Sequence, residues 1–388
     1  MNRKKFVIAG AGLAGVEAAA AIRGQDKNAG IVMVGEEAVP FYTRIRLPEY
    51  VAGTIDRDKL IVKKQAWYDE RSIELMLGCR VESVDPSKRT VSLSSGIVLE
   101  YDRLICATGA RCFIPSVPGV SLDGVIAVRS VENAAEFKRR CLGGGGVAVV
   151  GGGLLGLEMA AAISRFTDRV VVIEKAPWIL ARQLDRKGGE LLQAILESKN
   201  IEFRTSASVD SIVGDSSVAG VRLENGEVIA ARVVVVSAGI VPVVDPAVSA
   251  GCEVNRGVIV DDRMQTTVDG IYAAGDCAEH RGKIYGIWPA AEEQGKVAGS
   301  AAAGGDATYR GTIVNNRLKV TGVDVFSAGD IDAVGRMAAE IQIGDKTYRK
   351  LVHNNEGRLV GTILIGDLND QRKIALEIAE NFTCTNAG

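Results

Sequence analysis

The chain has 388 residues, 47% hydrophobic and 24% charged, with a net charge of −2. That leaves room for two or three ordinary domains and gives the balance of a soluble globular protein without the global basic field of a nucleic-acid binder. No apolar run reaches the roughly 18 residues of a membrane span, and the seven cysteines are scattered singly, with no C-x-x-C pair, which predicts neither a disulfide framework nor a zinc site.

The N-terminus, Met1 to Lys5, enters an apolar strand directly, so no signal peptide is expected and a reducing, cytoplasmic setting is the natural reading. The strand, Phe6–Ala9, runs into Gly10-Ala11-Gly12-Leu13-Ala14-Gly15 and then a helical stretch, Ala14–Arg23. The next strand, Ile31–Val34, ends at Gly35-Glu36-Glu37. A G-x-G-x-x-G turn between strand and helix lets backbone approach a pyrophosphate held at the helix N-terminus. An acid some 20 residues on binds a ribose hydroxyl, so Glu36 and Glu37 compete for that role. Alternating segments Arg80–Asp85 and Thr90–Leu93 follow, then a buried strand ending at Thr108-Gly109.

Pro115–Gly124 reads as a linker and Gly143–Gly146 as a flexible run. The plan then repeats, about 140 residues after the first copy. Strand Val147–Val150 leads into Gly151-Gly152-Gly153-Leu154-Leu155-Gly156 and a helix over Leu154–Ser164. Strand Val170–Ile173 ends at the acid Glu174. Ile201–Thr205, Ser208–Val213 and Val218–Leu223 come next, and Val233–Val236 runs into Ser237-Ala238-Gly239. One such glycine signature is a weak signal; two, each with a trailing acid, imply an internal duplication and two bound dinucleotides.

Beyond Gly239, a buried strand ends at Gly275-Asp276, and a helix rich in small residues covers Ala290–Ala303. From about Thr308 an α+β pattern (Val323–Phe326, Glu340–Ile343, Leu359–Ile365) closes with a helix over Gln371–Asn381. The predicted fold class is therefore α/β, with two Rossmann-like dinucleotide-binding domains and a small C-terminal α+β domain. His280 and His353, the only histidines, read as loop and turn residues, so no metal site and no histidine triad are expected. Cys106, Cys112, Cys141, Cys252 and Cys277 read as small buried hydrophobes, and Cys384 as an incidental exposed thiol.

The order Gly10–Gly15, Ala107–Ala110, Gly151–Glu158, Ser237–Gly239, Gly275–Glu279 resembles the FAD- and NAD(P)-dependent pyridine nucleotide-disulfide oxidoreductase superfamily, with its glutathione-reductase-like fold. Within it, Phe41–Glu49, Gln183–Asp185 and Gly286–Lys296 are similar to NADH:rubredoxin reductases and to the flavin portion of NADH-dependent nitrite reductases. The resemblance implies tightly bound FAD in a discontinuous domain (1–118 and 241–305), NADH in 119–240, with NADPH less favoured, and an interface domain at 306–388. It implies an FAD site of Gly10, Gly12, Leu13, Ala14, Gly15, Glu36 or Glu37, Arg44, Val81, Thr108, Gly109, Arg111, Asp276 and Trp288. For NAD it implies Gly151, Gly153, Leu154, Leu155, Gly156, Glu174 and Gly239, with Glu158 facing the nicotinamide and no residue acting as acid or base.

Thiol-using relatives place a redox cysteine where Thr43 stands, and the lysine that some relatives hold near the flavin is replaced by Glu49. The expected function is an NADH-dependent flavin reductase that passes electrons, without a redox disulfide, to a small iron–sulfur carrier such as rubredoxin. The alternatives are an NADH oxidase using oxygen, the electron-input subunit of a nitrite-reductase-like complex, and a flavoprotein scaffold such as apoptosis-inducing factor. Either a monomer or a homodimer fits. A basic cluster of Arg44, Arg46, Lys59, Lys63 and Lys64 is a candidate dock for an acidic carrier.

Overall fold

The computed structural model describes residues 3–332 and 334–385, with the side chains of 383–385 left undescribed, so Cys384 lies outside the described residues. The helices are, in chain order, α1 (Leu13–Gln25), α2 (Leu47–Val51), α3 (Gln65–Asp69), α4 (Val131–Cys141), α5 (Leu154–Ile163), α6 (Arg186–Glu197), α7 (Asp245–Ser249), α8 (Trp288–Ala302) and α9 (Gln371–Thr385). Contacts divide the chain into two units. The first comprises Met1–Arg44, Arg57–Arg111 and Ile240–Thr312; the second comprises Ile45–Asp56, Cys112–Gly239 and Ile313–Gly388.

In the first unit five parallel strands run in the order Ile271–Ala273, Arg103–Cys106, Lys5–Ala9, Gly30–Gly35, Ile73–Leu77. Lys5–Ala9 is central, with Phe6, Val7, Ile8 and Ala9 all buried, as a sheet covered on both faces requires. An antiparallel meander of Val81–Asp85, Thr90–Leu93 and Val98–Glu100 follows. On the helical side α1 and α8 pack together along a seam of small residues. A Cβ at Gly295 would stand 2.4 Å from the Ala14 carbonyl oxygen, and one at Gly299 2.3 Å from that of Ala18. The two backbones touch where any side chain would hold them apart.

The second unit repeats the sheet: Ile201–Arg204, Val170–Ile173, Val147–Val150, Val233–Val236, Val125–Ile126, all parallel. Ile201–Arg204 belongs to this sheet, and Val228–Ala230 completes the second meander with Val209–Gly214 and Val218–Leu223. The segment over 313–388 forms a five-stranded antiparallel sheet, in the order Asn315–Val320, Val323–Gly329, Leu359–Ile365, Tyr348–His353, Ala338–Ile343. One face, carrying Phe326, Ala328 and Leu364, is covered by Ile374 and Ile378 of α9. The other face turns toward α6: Tyr348 donates its hydroxyl proton to Asp185 Oδ2 at 2.8 Å, and Lys350 Nζ stands 3.1 Å from the same oxygen. Asp185 also caps α6, its Oδ1 accepting from the Gly188 amide at 3.0 Å.

Both histidines differ from the loop reading. His280 is the last residue of a strand, Ala278–His280, that pairs in parallel with Val258–Val260; it is fully buried, and its Nε2 lies 2.8 Å from Asp262 Oδ1. His353 ends the strand Tyr348–His353. The pairing of His280 joins two separate segments, which no local turn signal reveals, whereas His353 ends the first strand of a hairpin and pairs with Leu359 across its turn. No helix among the described residues is long and apolar enough to cross a membrane.

Candidate functional site

The two glycine loops are the same object built twice. Gly10 N–H donates to the Val34 carbonyl at 2.8 Å, and Gly151 N–H to the Ile173 carbonyl at 2.8 Å. Both adopt positive φ, +125° and +114°, a region open to glycine, and a Cβ would strike the Ala107 carbonyl oxygen at 2.0 Å or that of Ser237 at 2.3 Å. Gly15 and Gly156 each leave no space either: a Cβ would stand 2.0 Å from the carbonyl oxygen of Gly10 or Gly151. Gly12 and Gly153 differ, since a Cβ at either meets nothing within 4 Å. They are the helix N-caps, neither supplies a side-chain cap, and neither α1 nor α5 has an acid in its first turn.

A closed turn that delivers an open, uncapped, positively polarised helix end is what a pyrophosphate needs. The donor set of each loop therefore fits a dinucleotide, with Leu13, Ala14, Leu154 and Leu155 supplying first-turn backbone.

The acids behind the loops are placed differently. Glu174 accepts from the Gly152 and Ala176 amides, both at 2.7 Å, which locks it against the second loop. In the first unit Glu36 is exposed, while Glu37 is engaged. Arg44 donates to Glu37 Oε1 at 2.5 Å and to the Tyr42 hydroxyl at 2.7 Å, and Tyr42 donates to Glu37 Oε2 at 2.6 Å. Glu36 is thus the acid presented to solvent beside the first loop. Burial disfavours the Arg44 charge, yet Tyr42, Glu37 and Asp276 outweigh it and hold the guanidinium above its usual value.

The other predicted FAD residues lie within the first unit. Thr108 donates its hydroxyl to the Val243 carbonyl at 2.6 Å, and the Gly109 carbonyl accepts from the Val243 amide at 2.9 Å. The Gly275 amide donates to the buried Gln294 Oε1 at 2.8 Å, fixing the turn that carries Asp276. Trp288 opens α8 against Phe41, with ring centroids 5.8 Å apart. Val81 is buried at the start of the meander, and Arg111 is exposed, 3.9 Å from Asp245.

In the second unit Gly239 takes φ +115° with open space around it. Glu158 lies on α5, three residues beyond the Leu155 of the loop, and α2 packs on α5. Burial first, and the nearby Glu49 charge second, push its carboxyl up to about 7. Glu49 itself is clamped by Arg46, whose Nε and Nη2 donate at 2.8 and 2.7 Å, and this holds it below the ordinary glutamate value. Arg46, like Arg44, is thus taken up by a carboxylate, and the basic cluster reduces to Lys59, Lys63 and Lys64, with Lys63 Nζ 5.1 Å from the Trp67 ring centre. Sequence reading missed the Arg46–Glu49 clamp, although its i,i+3 spacing on a helical turn is a visible signal.

The six described cysteines are all free. Burial pushes the Cys106, Cys252 and Cys277 thiols up, and that of Cys141 up to about 12, the opposite of what a reactive thiolate needs.

A sequence family described as pyridine nucleotide-disulphide oxidoreductase matches residues 4–295. The chain belongs to that family. A second family, the rubredoxin NAD+ reductase C-terminal domain, matches residues 315–381. Members of the first are FAD-dependent NAD(P)H oxidoreductases, and FAD and NADH are the cofactors that membership implies here. The chain is 37% identical over 379 residues to a nitrite reductase [NAD(P)H] of Bacillus subtilis, covering 96% of itself but 47% of that protein. It thus spans about half the length of this relative, and 49% of an assimilatory nitrate reductase electron transfer subunit of the same organism.

It is 34% identical to an NADH-rubredoxin oxidoreductase of Clostridium acetobutylicum, covering 86% of itself and 83% of the relative. A solved structure of an NADH:rubredoxin oxidoreductase from that organism superposes with a TM-score of 0.82 at 31% identity, over 98% of this chain and 96% of that one. A ferredoxin reductase of Rhodopseudomonas palustris gives a TM-score of 0.88 at 26% identity, over 95% and 93%.

Proposed function

We propose that this member of the family accepts a hydride from NADH onto FAD and passes the electrons singly to a small iron–sulfur carrier of the rubredoxin type, without a redox-active disulfide. FAD, when bound, supplies the conversion between two-electron and one-electron chemistry. The observation that carries the reading is the pair of closed glycine turns ending in uncapped helices: a cradle for two dinucleotides within one chain.

Each residue has a task in this reading. The first loop, Glu36 and Asp276 hold FAD, in the part formed by 1–118 and 241–305. Arg44, fixed by Glu37 and Tyr42, offers a pre-oriented cation to the phosphate side of that site. The second loop and Glu174 hold NADH in 119–240, and Glu174, already ordered by two amides, meets a ribose without rearrangement. Glu158 faces the nicotinamide. The residues 306–388 form the C-terminal module. Free, buried cysteines with raised thiol values support electron exit from the flavin edge rather than through sulfur.

The test is an anaerobic steady-state acceptor panel with NADH and NADPH. Rapid rubredoxin reduction with slow oxygen uptake is expected; a colourless protein that takes up no FAD would sink the proposal. A second reading, electron input to a larger nitrite- or nitrate-reducing assembly, is favoured by the two Bacillus subtilis relatives that this chain half covers. Co-purification with a sirohaem or iron–sulfur subunit would select it.

A further inference from the structure

Glu158 sits among apolar residues on a helix that begins at the second glycine loop, and its neighbours Gly156, Leu157, Met159 and Ala160 are buried. The elements packed on α5 are α2, the strands Val147–Val150 and Val170–Ile173, and the strand Asn315–Val320. The two parallel strands carry no charged residue. From Asn315–Val320, Arg317 turns to Asp324 at 3.6 Å and Lys319 is exposed. From α2 comes Glu49, whose charge bears on Glu158 and which Arg46 pins in place by a two-pronged bond. The neighbour of this half-buried carboxyl is therefore a fixed negative charge. Two carboxylates close together in partly dry surroundings resist being ionised together.

We infer that Glu49 makes Glu158 a proton-exchanging carboxyl that discriminates oxidised from reduced nicotinamide: Glu158 holds its proton in the free site and releases it to solvent when a cationic ring binds beside it. The inference rests on reading the second loop as the pyridine-nucleotide site with Glu158 facing the nicotinamide. The nicotinamide of NADH is neutral and gains nothing from an ionised Glu158. That of NAD+ carries a positive charge and attracts the carboxylate. While Glu158 keeps its proton, the site favours NADH, and the oxidised product, lacking a counter-charge, leaves readily. As pH rises and Glu158 ionises, the product is held. Glu49 is the positioning residue, since its charge sets the pH at which the change occurs, and Arg46 keeps that charge in register with α5.

The experiment is calorimetric titration of the oxidised holoenzyme with NAD+ between pH 5.5 and 8.5, in pairs of buffers with different ionisation enthalpies. ADP-ribose, which lacks the charged ring, is titrated alongside. NAD+ binding should release a proton below neutral pH and tighten about tenfold across the range, the effect of a one-unit pKa change on binding, while ADP-ribose affinity stays level. Glu158→Gln should bind NAD+ with no pH dependence and no proton release. Glu49→Gln should keep the dependence but shift its midpoint to lower pH, because the repelling charge is gone.

A flat NAD+ profile, a slope that survives in Glu158→Gln, or an unmoved midpoint in Glu49→Gln would each overturn the inference. If neither NAD+ nor ADP-ribose binds at any pH, the underlying nucleotide reading fails instead.

Discussion

The two halves share a glycine loop almost atom for atom, yet they cover its helix by opposite means. In the first unit α1 lies against α8 through Gly295 and Gly299, with backbone on backbone. In the second unit α5 and α6 are covered by the C-terminal antiparallel sheet, and that contact is pinned by a buried charge network of Asp185, Lys350 and Tyr348. The duplicated part is the nucleotide cradle; the cover was solved separately. A small-residue seam depends on the absence of atoms, whereas a buried ion pair depends on the presence of both partners. The two units should therefore fail under different substitutions.

The largest effect is expected at the ion pair. Lys350→Met keeps most of the side-chain volume but leaves Asp185 with an unpaired charge, and should cost about 3–5 kcal/mol of stability by chemical denaturation. Gly299→Val, which forces a side chain onto the Ala18 backbone, should cost about 1–3 kcal/mol. If Gly299→Val proves the more damaging, the contrast between the two covers is reversed.

The loops themselves give the next pair. Gly15→Ala and Gly156→Ala create the same 2.0 Å clash in the two copies. The first should yield protein depleted of yellow FAD, and the second should remain yellow while its NADH KM rises. Equal FAD loss in both variants would mean that the assignment of the two cofactors to the two loops is wrong. The acids come third. Glu174→Ala removes a carboxylate bonded to two amides and should weaken NADH by about 1.5–3 kcal/mol, which is roughly 10- to 150-fold in KM. Glu36→Ala, which breaks no protein contact, should lower FAD affinity in apoprotein reconstitution and leave the melting temperature unmoved. The smallest effect is expected from reversing Lys63 and Lys64 to glutamate, a several-fold drop in carrier turnover that fades as salt is raised. A salt-independent result would remove those lysines from the dock.

The cradle was legible because its chemistry is local. Gly10 to Gly15 and Gly151 to Gly156 are contiguous, and Glu174 follows its strand at a fixed offset. The covers were not legible. The parallel sheets follow from the sequence, but it does not reveal that Ile201–Arg204 joins the second parallel sheet rather than the meander beside it, nor that Ile73–Leu77 is a fifth strand of the first. Asp185 was visible as part of a motif, but its partner lies 163 residues away, beyond any periodicity. Whether Glu36 or Glu37 faces the ligand was undecided in sequence. In the fold Arg44 and Tyr42 occupy Glu37 and leave Glu36 exposed, which favours Glu36 for that role. His280 failed as a loop prediction because its strand pairs with Val258–Val260 and its ring is taken up by Asp262.

The glycine seam also orders events in time. α1 lies near the start of the chain, and the helix that must close against it begins at Trp288, after the whole Cys112–Gly239 stretch has been made. Contacts of such high sequence separation form late and slowly. On an emerging chain the second nucleotide fold, whose sheet lies within one continuous stretch, can assemble while the first still waits for its missing helix. The first loop then acquires its final shape only once α8 has emerged. Cofactor loading there becomes a step that follows release of residues up to about 300, and FAD supplied to a stalled, shorter nascent chain should not be retained.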